Sequence, residues 1–264
     1  MKIGLDSYSS KKREKSNLKW LFILMISAVM LIILWDPPFH DRKPQKTDHS
    51  CAVYYLLNID GMKGLGHTAF LLTDEQGNGQ LYSYNGMQYS LVECLLGRAG
   101  IGKMKMFVLS SDEVNNFLNT GDLQVEDTAE CDNFDRILYR YISKEDYTRL
   151  QEGAAKYIET DTEYESLHAV MIHAEGKERI WAEEKMNEFL KQEDLLRYQI
   201  YNHNCDTVAR ELIALIDKEM VVYNAENEKL TPTGNYIGMC SKFSEIWGYK
   251  ILGNDTWPER LFWR

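Results

Sequence analysis

The sequence predicts an α+β domain, an antiparallel sheet packed on helices, behind an N-terminal transmembrane helix. Three observations predict it. Short β-branched and aromatic runs separated by glycine-bearing turns fill residues 52–109. Helical spacing dominates the second half, most clearly where Val208, Leu212 and Leu215 form one apolar stripe with Ala209, Ile213 and Ile216 beside it. One uncharged stretch, Trp20–Trp35, precedes both.

The chain has 264 residues, 44% hydrophobic and 27% charged, which suits one sizeable domain with appendages. Its formal charge of −10 is unevenly spread: residues 1–35 hold six Lys/Arg against two Asp/Glu, and the remainder is acidic. So acidic a body, with no basic stripe, argues against nucleic acid as a partner. The cysteines are Cys51, Cys94, Cys131, Cys205 and Cys240, with no CxxC and no zinc-like spacing. Neither a metal nor another cofactor is expected.

Residues 1–17 read as a basic cytoplasmic tail, with Lys11, Lys12, Arg13 and Lys15 clustered. The uncharged run reaches about 24 Å as a helix, slightly short of a bilayer core. Leu18, a snorkelling Lys19 and the bracketing tryptophans extend it, so residues 18–35 are expected to be a transmembrane anchor. No small-x-small cleavage site follows, which favours an uncleaved anchor over a signal peptide. The basic flank predicts a cytoplasmic N-terminus and an extracytoplasmic body at the cell membrane. Residues 36–50, with three prolines and no apolar pattern, read as a stalk.

The folded domain is expected over 51–264. Ala52–Leu57 reads as a strand, and His67–Thr73 and Gln80–Asn85 as the arms of a hairpin turning through Asp74–Gly79. His67 stands at the open end of the first arm, and Ser83 and Asn85 return to its level on the second. Lys103–Leu109 is a further strand. Ser110-Ser-Asp-Glu113 is a capping-box pattern opening a helix over roughly 111–119. Phe134–Ile142 alternates as a half-buried strand, and Ser143 caps a helix to about Thr160. Residues 161–197 read as an insertion with a charged helix over 178–191. The tail carries turn signals at Thr231–Gly234 and is aromatic to its end.

The chemistry centres on Tyr201-Asn202-His203-Asn204-Cys205-Asp206. Asn204 is a good N-cap, which places Cys205 in the first turn of the following helix. Unpaired backbone N–H groups and the helix dipole favour the thiolate there. Thiol catalysis also needs a base and a group that orients the base. His40 and His49 lie in the stalk, and His168 and His173 in the insertion. His203, two residues from Cys205, is expected to point away from the helix start. His67, following Gly66 at a strand start, is the candidate base.

Gly66-His67 at a strand start, a second arm ending Tyr82-Ser-Tyr-Asn-Gly86, and Asn204-Cys205 opening a distant helix resemble the circularly permuted papain-like proteins of the NlpC/P60 superfamily. The resemblance covers roughly residues 52–218. It implies a permuted papain-like fold, Cys205 as nucleophile and His67 as base. It also implies a third polar residue near the end of the next strand, where Asn85 and Ser83 both fit; Asn85 is preferred, because its side-chain oxygen can accept from an imidazole N–H. The expected function is a membrane-anchored hydrolase or acyltransferase that works through a thioester, acting on an envelope peptide, lipoprotein or lipid. The alternative is a non-catalytic envelope protein that uses the same scaffold to bind a partner or lipid.

Overall fold

A seven-stranded sheet, antiparallel at every pairing, organises the computed structural model. The structure describes residues 41–59, 61, 66–87, 100–121, 123, 134–192, 194–200, 202–227 and 231–252. The strands are β1 Cys51–Asn58, β2 His67–Thr73, β3 Gly79–Met87, β4 Gly100–Leu109, β5 Arg136–Ile142, β6 Arg197–Tyr198 and β7 Gly248–Ile251. Their spatial order is β6-β4-β3-β2-β1-β5-β7. The helices are α1 Ser111–Thr120, α2 Lys144–His173, α3 Gly176–Gln192, α4 Cys205–Ala214, α5 Lys218–Glu226 and α6 Pro232–Lys242.

Both faces of the central strands are covered, which explains why His67–Thr73 reads as an unbroken run instead of alternating. One face presents Leu56, Leu71, Leu81 and Ile137 to Val114 and Phe117 of α1. The capping box that opens α1 forms as expected: the Ser110 side chain accepts from Glu113 N–H, and the Glu113 carboxylate accepts from Ser110 N–H. The opposite face carries Tyr55, Phe70, Tyr82 and Tyr84, aligned by strand register. Against it lie α2, through Tyr157 on Tyr84 (ring centroids 5.7 Å apart), and α4, which packs on β2 and β3. A Cβ at Gly153 of α2 would press on the side chains of Leu212 of α4 and Leu215, which follows that helix.

Several expectations change. The expected fold class included a transmembrane helix, and that part is corrected: among the described residues no helix is long and apolar enough to cross a membrane. The longest, α2 with 30 residues, carries charged side chains repeatedly from Lys144 to Glu165. The run 18–35 lies outside the described residues, as do Cys94, Cys131 and the aromatic residues after Leu252. The helix expected to stop near Thr160 continues to His173 and returns as α3, so the insertion is a helical hairpin. Thr231–Gly234 is a helix start: the Thr231 hydroxyl accepts from Gly234 N–H at 3.2 Å, and Pro232 occupies the first turn, where its missing N–H costs nothing. β5 is buried on both sides at Arg136, Ile137 and Leu138, and further along it Arg140 pairs with Asp217 at 2.7 Å and lies over Trp247. The second half of the expected stalk belongs to the domain: Arg42 and Tyr249 exchange backbone hydrogen bonds of 2.8 and 2.7 Å, and Arg42 Nε donates to Trp247 O.

Candidate functional site

Asn204 caps α4 as expected. Its side-chain oxygen accepts from Asp206 N–H at 2.9 Å and Thr207 N–H at 3.0 Å, and its amide donates to Ile200 O at 2.6 Å. Cys205 occupies the first turn and is only 1% exposed. Asn204→Ala is expected to cost about 1–2 kcal/mol in urea unfolding, because it removes a buried cap and leaves Ile200 O without its donor.

His67 opens β2, opposite Asn58 of β1. The glycine before it is required: Gly66 has φ +91, and a Cβ there would stand 2.7 Å from Thr233 Oγ1. The His67 ring is buried, with Nε2 3.0 Å from Ser83 Oγ. Asn85 does not touch the ring through a described hydrogen bond; its amide donates to Ser83 Oγ at 3.0 Å. Ser83, which pairs with Ala69, and Asn85 share the face of the sheet to which His67 turns, and the ring reaches the first of them. Burial lowers the His67 pKa to about 4, so the imidazole is neutral at physiological pH.

Between the two segments lies a buried polar network that sequence reasoning missed. The Tyr55 hydroxyl donates to Asp206 Oδ1 and stands 3.4 Å from Thr68 Oγ1. Asp206 Oδ2 accepts from Arg210 Nε at 3.0 Å and Asn235 Nδ2 at 2.5 Å. Arg210 Nη1 donates to Asn224 Oδ1 at 2.6 Å. Tyr55, Thr68, Asp206 and Asn235 are fully buried and Arg210 nearly so. Burial raises the Asp206 pKa from its ordinary value, and Arg210 with the donated hydrogen bonds pulls against it. The available signal was Asp206 and Arg210, opposite charges four apart on a helix whose neighbouring positions are apolar.

The residue after the predicted base is thus tied, through one hydroxyl, to the residue after the predicted nucleophile. Alternation sets a second fact beside this. Thr68 faces α4, whereas His67 points to the Ser83 side of the sheet. Two of the remaining described histidines are engaged elsewhere. His203 Nδ1 donates to Arg197 O at 2.5 Å and its ring meets Tyr84, while His168 stacks on Tyr164. Cys51 and Cys240 are buried, and burial raises both thiol pKa values, that of Cys240 to about 12. Among the described residues no cluster of three or more His, Cys, Asp or Glu could hold a metal ion.

Comparison with known proteins finds no matching family model, no similar curated protein and no similar solved structure. The fold therefore stands as α+β, an antiparallel sheet with helices on both faces. That description replaces the expected permuted papain-like fold with a transmembrane helix, which no match identifies.

Proposed function

We propose that the chain is a cysteine-dependent hydrolase or acyltransferase acting on an amide or ester bond. The observation that carries this reading is the docking of α4 on β2, which joins the Cys205 and His67 segments through Thr68, Tyr55 and Asp206. In the proposed reaction Cys205 Sγ attacks the carbonyl carbon while His67 takes the thiol proton. With Nε2 against Ser83, the nitrogen assigned to the thiol is Nδ1. The donor assigned to the oxyanion is the backbone N–H of Cys205, since the N–H groups of Asp206 and Thr207 are given to the Asn204 side chain. Collapse breaks the C–N or C–O bond, His67 returns the proton to the leaving group, and a thioester remains. Water, or an acceptor amine or hydroxyl, then attacks the thioester and regenerates the thiol. Because burial keeps His67 neutral, its resting imidazole in this reading carries no positive charge to set against the sulfur.

The test is the alkylation rate of Cys205, resolved by peptide mass and followed against pH, in wild type and His67→Ala. Cys205 is expected to outpace Cys51 and Cys240, and His67→Ala to slow it by at least about tenfold. Equal rates in wild type and variant would sink the catalytic reading.

A second reading, a binding protein without chemistry, has its own observation. His67 turns to the Ser83 face while α4 lies against the other, and Cys205 and His67 are 1% and 4% exposed. Intact-protein mass after incubation with a cell-envelope extract separates the two. An acyl or peptidyl adduct that Cys205→Ser abolishes belongs to the enzyme; recovery of the bare chain with a bound partner belongs to the binder.

A further inference from the structure

We infer that Tyr55 is a positioning residue of the thiol site, its hydroxyl holding the start of α4 in register with the start of β2. The inference rests on the proposed Cys205–His67 chemistry and names a residue that acts through others, since Tyr55 touches neither member of the pair in a described hydrogen bond.

The direction of the hydrogen bonds makes Tyr55 the link. Asp206 is paired with Arg210 and takes three donated hydrogen bonds, so it acts as an acceptor. The Tyr55 proton therefore goes to Asp206 Oδ1. That leaves the Tyr55 oxygen to accept from the Thr68 hydroxyl, the longer contact at 3.4 Å. The chain of donation runs from Thr68 through Tyr55 to Asp206, that is, from the neighbour of His67 to the neighbour of Cys205. Asn235 of α6 and Arg210 of α4 fix the far oxygen of the same carboxylate, so Asp206 cannot turn to follow a shifting Tyr55. The Tyr55 ring is itself clamped, stacked on Tyr236 with centroids 6.0 Å apart.

This network sits where position matters more than burial. The elements it joins could be held by apolar side chains of similar volume, and a buried ion pair is a poor source of net stability. What the polar version adds is direction: each bond fixes one atom against another across the helix–sheet contact. A misplacement of about 1 Å between nucleophile and base is enough to cost large factors in rate.

Tyr55→Phe tests this, because it removes one oxygen and keeps the stacked ring. The readout is peptide-resolved alkylation of Cys205 by iodoacetamide in four chains: wild type, Tyr55→Phe, His67→Ala and the double variant. The expected result is a Cys205 rate about tenfold lower in Tyr55→Phe, with the Cys51 and Cys240 rates unchanged. The further drop on adding His67→Ala should shrink towards none, as for residues acting as one unit. If Tyr55→Phe leaves both the Cys205 rate and its dependence on His67 intact, the positioning role is overturned while the catalytic reading stands. If wild-type Cys205 shows no dependence on His67, the catalytic reading fails and this inference fails with it. Thr68→Val, which deletes the other end of the chain at nearly constant volume, is the second variant should Tyr55→Phe not fold. A rate drop of about threefold in the same direction supports the inference, and an unchanged rate overturns it.

Discussion

Arg210→Met is expected to destabilise the protein by about 3–5 kcal/mol at neutral pH, read from urea unfolding. Arg210 is 1% exposed and its guanidinium is the cation set against Asp206, which is 0% exposed. Removing it leaves a carboxylate with hydrogen bonds from Tyr55 and Asn235 but no counter-charge, and it strips Asn224 Oδ1 of its donor. Two further measurements distinguish this cause from lost packing. A buried carboxylate without its cation has its folded pKa raised further, so the native state holds a proton that the unfolded state has given up. Stability contributed by that proton is lost as pH rises, so the deficit of Arg210→Met should shrink as pH is lowered towards 5. Pairing the variant with Asp206→Asn removes the stranded charge, and the double variant should cost less than the sum of the two singles. A deficit that stays constant with pH and adds to that of Asp206→Asn would assign the loss to packing alone.

The same pair marks where sequence reading stops. Strand boundaries were legible wherever β-branched and aromatic runs ended in turns: β2 spans His67–Thr73 as expected. The cap at Asn204 and the box at Ser110 were legible because capping is local chemistry. The helix face at the site was not. Periodicity assigned Val208, Leu212 and Leu215 to the core, yet Leu215 is 50% exposed while Asp206 and Arg210 are buried. A hydrophobic stripe marks one buried side of a helix, and α4 is buried on nearly all sides over its first two turns by β2, β3, α2 and α6. The partners of the polar side come from β1 and α6, about 150 residues before and 29 residues after Asp206, a pairing no local pattern encodes. Ser83 against Asn85 was undecidable for a related reason. Both lie on the same face of β3, and only the reach of the His67 ring selects the first. α5 and α6 were missed because their apolar stripes are short and broken by exposed residues such as Val221 and Ile237.

His67 makes stability fall as the solution is acidified. Its ring is fully buried, and burial lowers its pKa from 6.5 to about 4. Between those two values the unfolded chain binds a proton that the folded chain refuses. Stability is therefore complete above pH 6.5 and is lost as pH drops towards 4. One pKa difference of this size is worth about 3 kcal/mol in full, and about 2.5 kcal/mol of it should be gone by pH 4.5. Carboxylates titrate in the same range, so the quantity to measure is the difference between wild type and His67→Gln, not the wild-type slope alone. Gln keeps a polar group beside Ser83 and cannot take up a proton. The wild type should lose about 2.5 kcal/mol more than the variant between pH 7 and pH 4.5. Parallel curves would mean that the imidazole is protonated inside the fold, with a counter-charge to hold it. The consequence for chemistry is direct. A histidine that burial keeps neutral stays available as a proton acceptor down to about pH 4, so loss of Cys205 reactivity on acidification should follow this same titration. A thiol that kept its reactivity after His67→Gln would be drawing its activation from the α4 start alone.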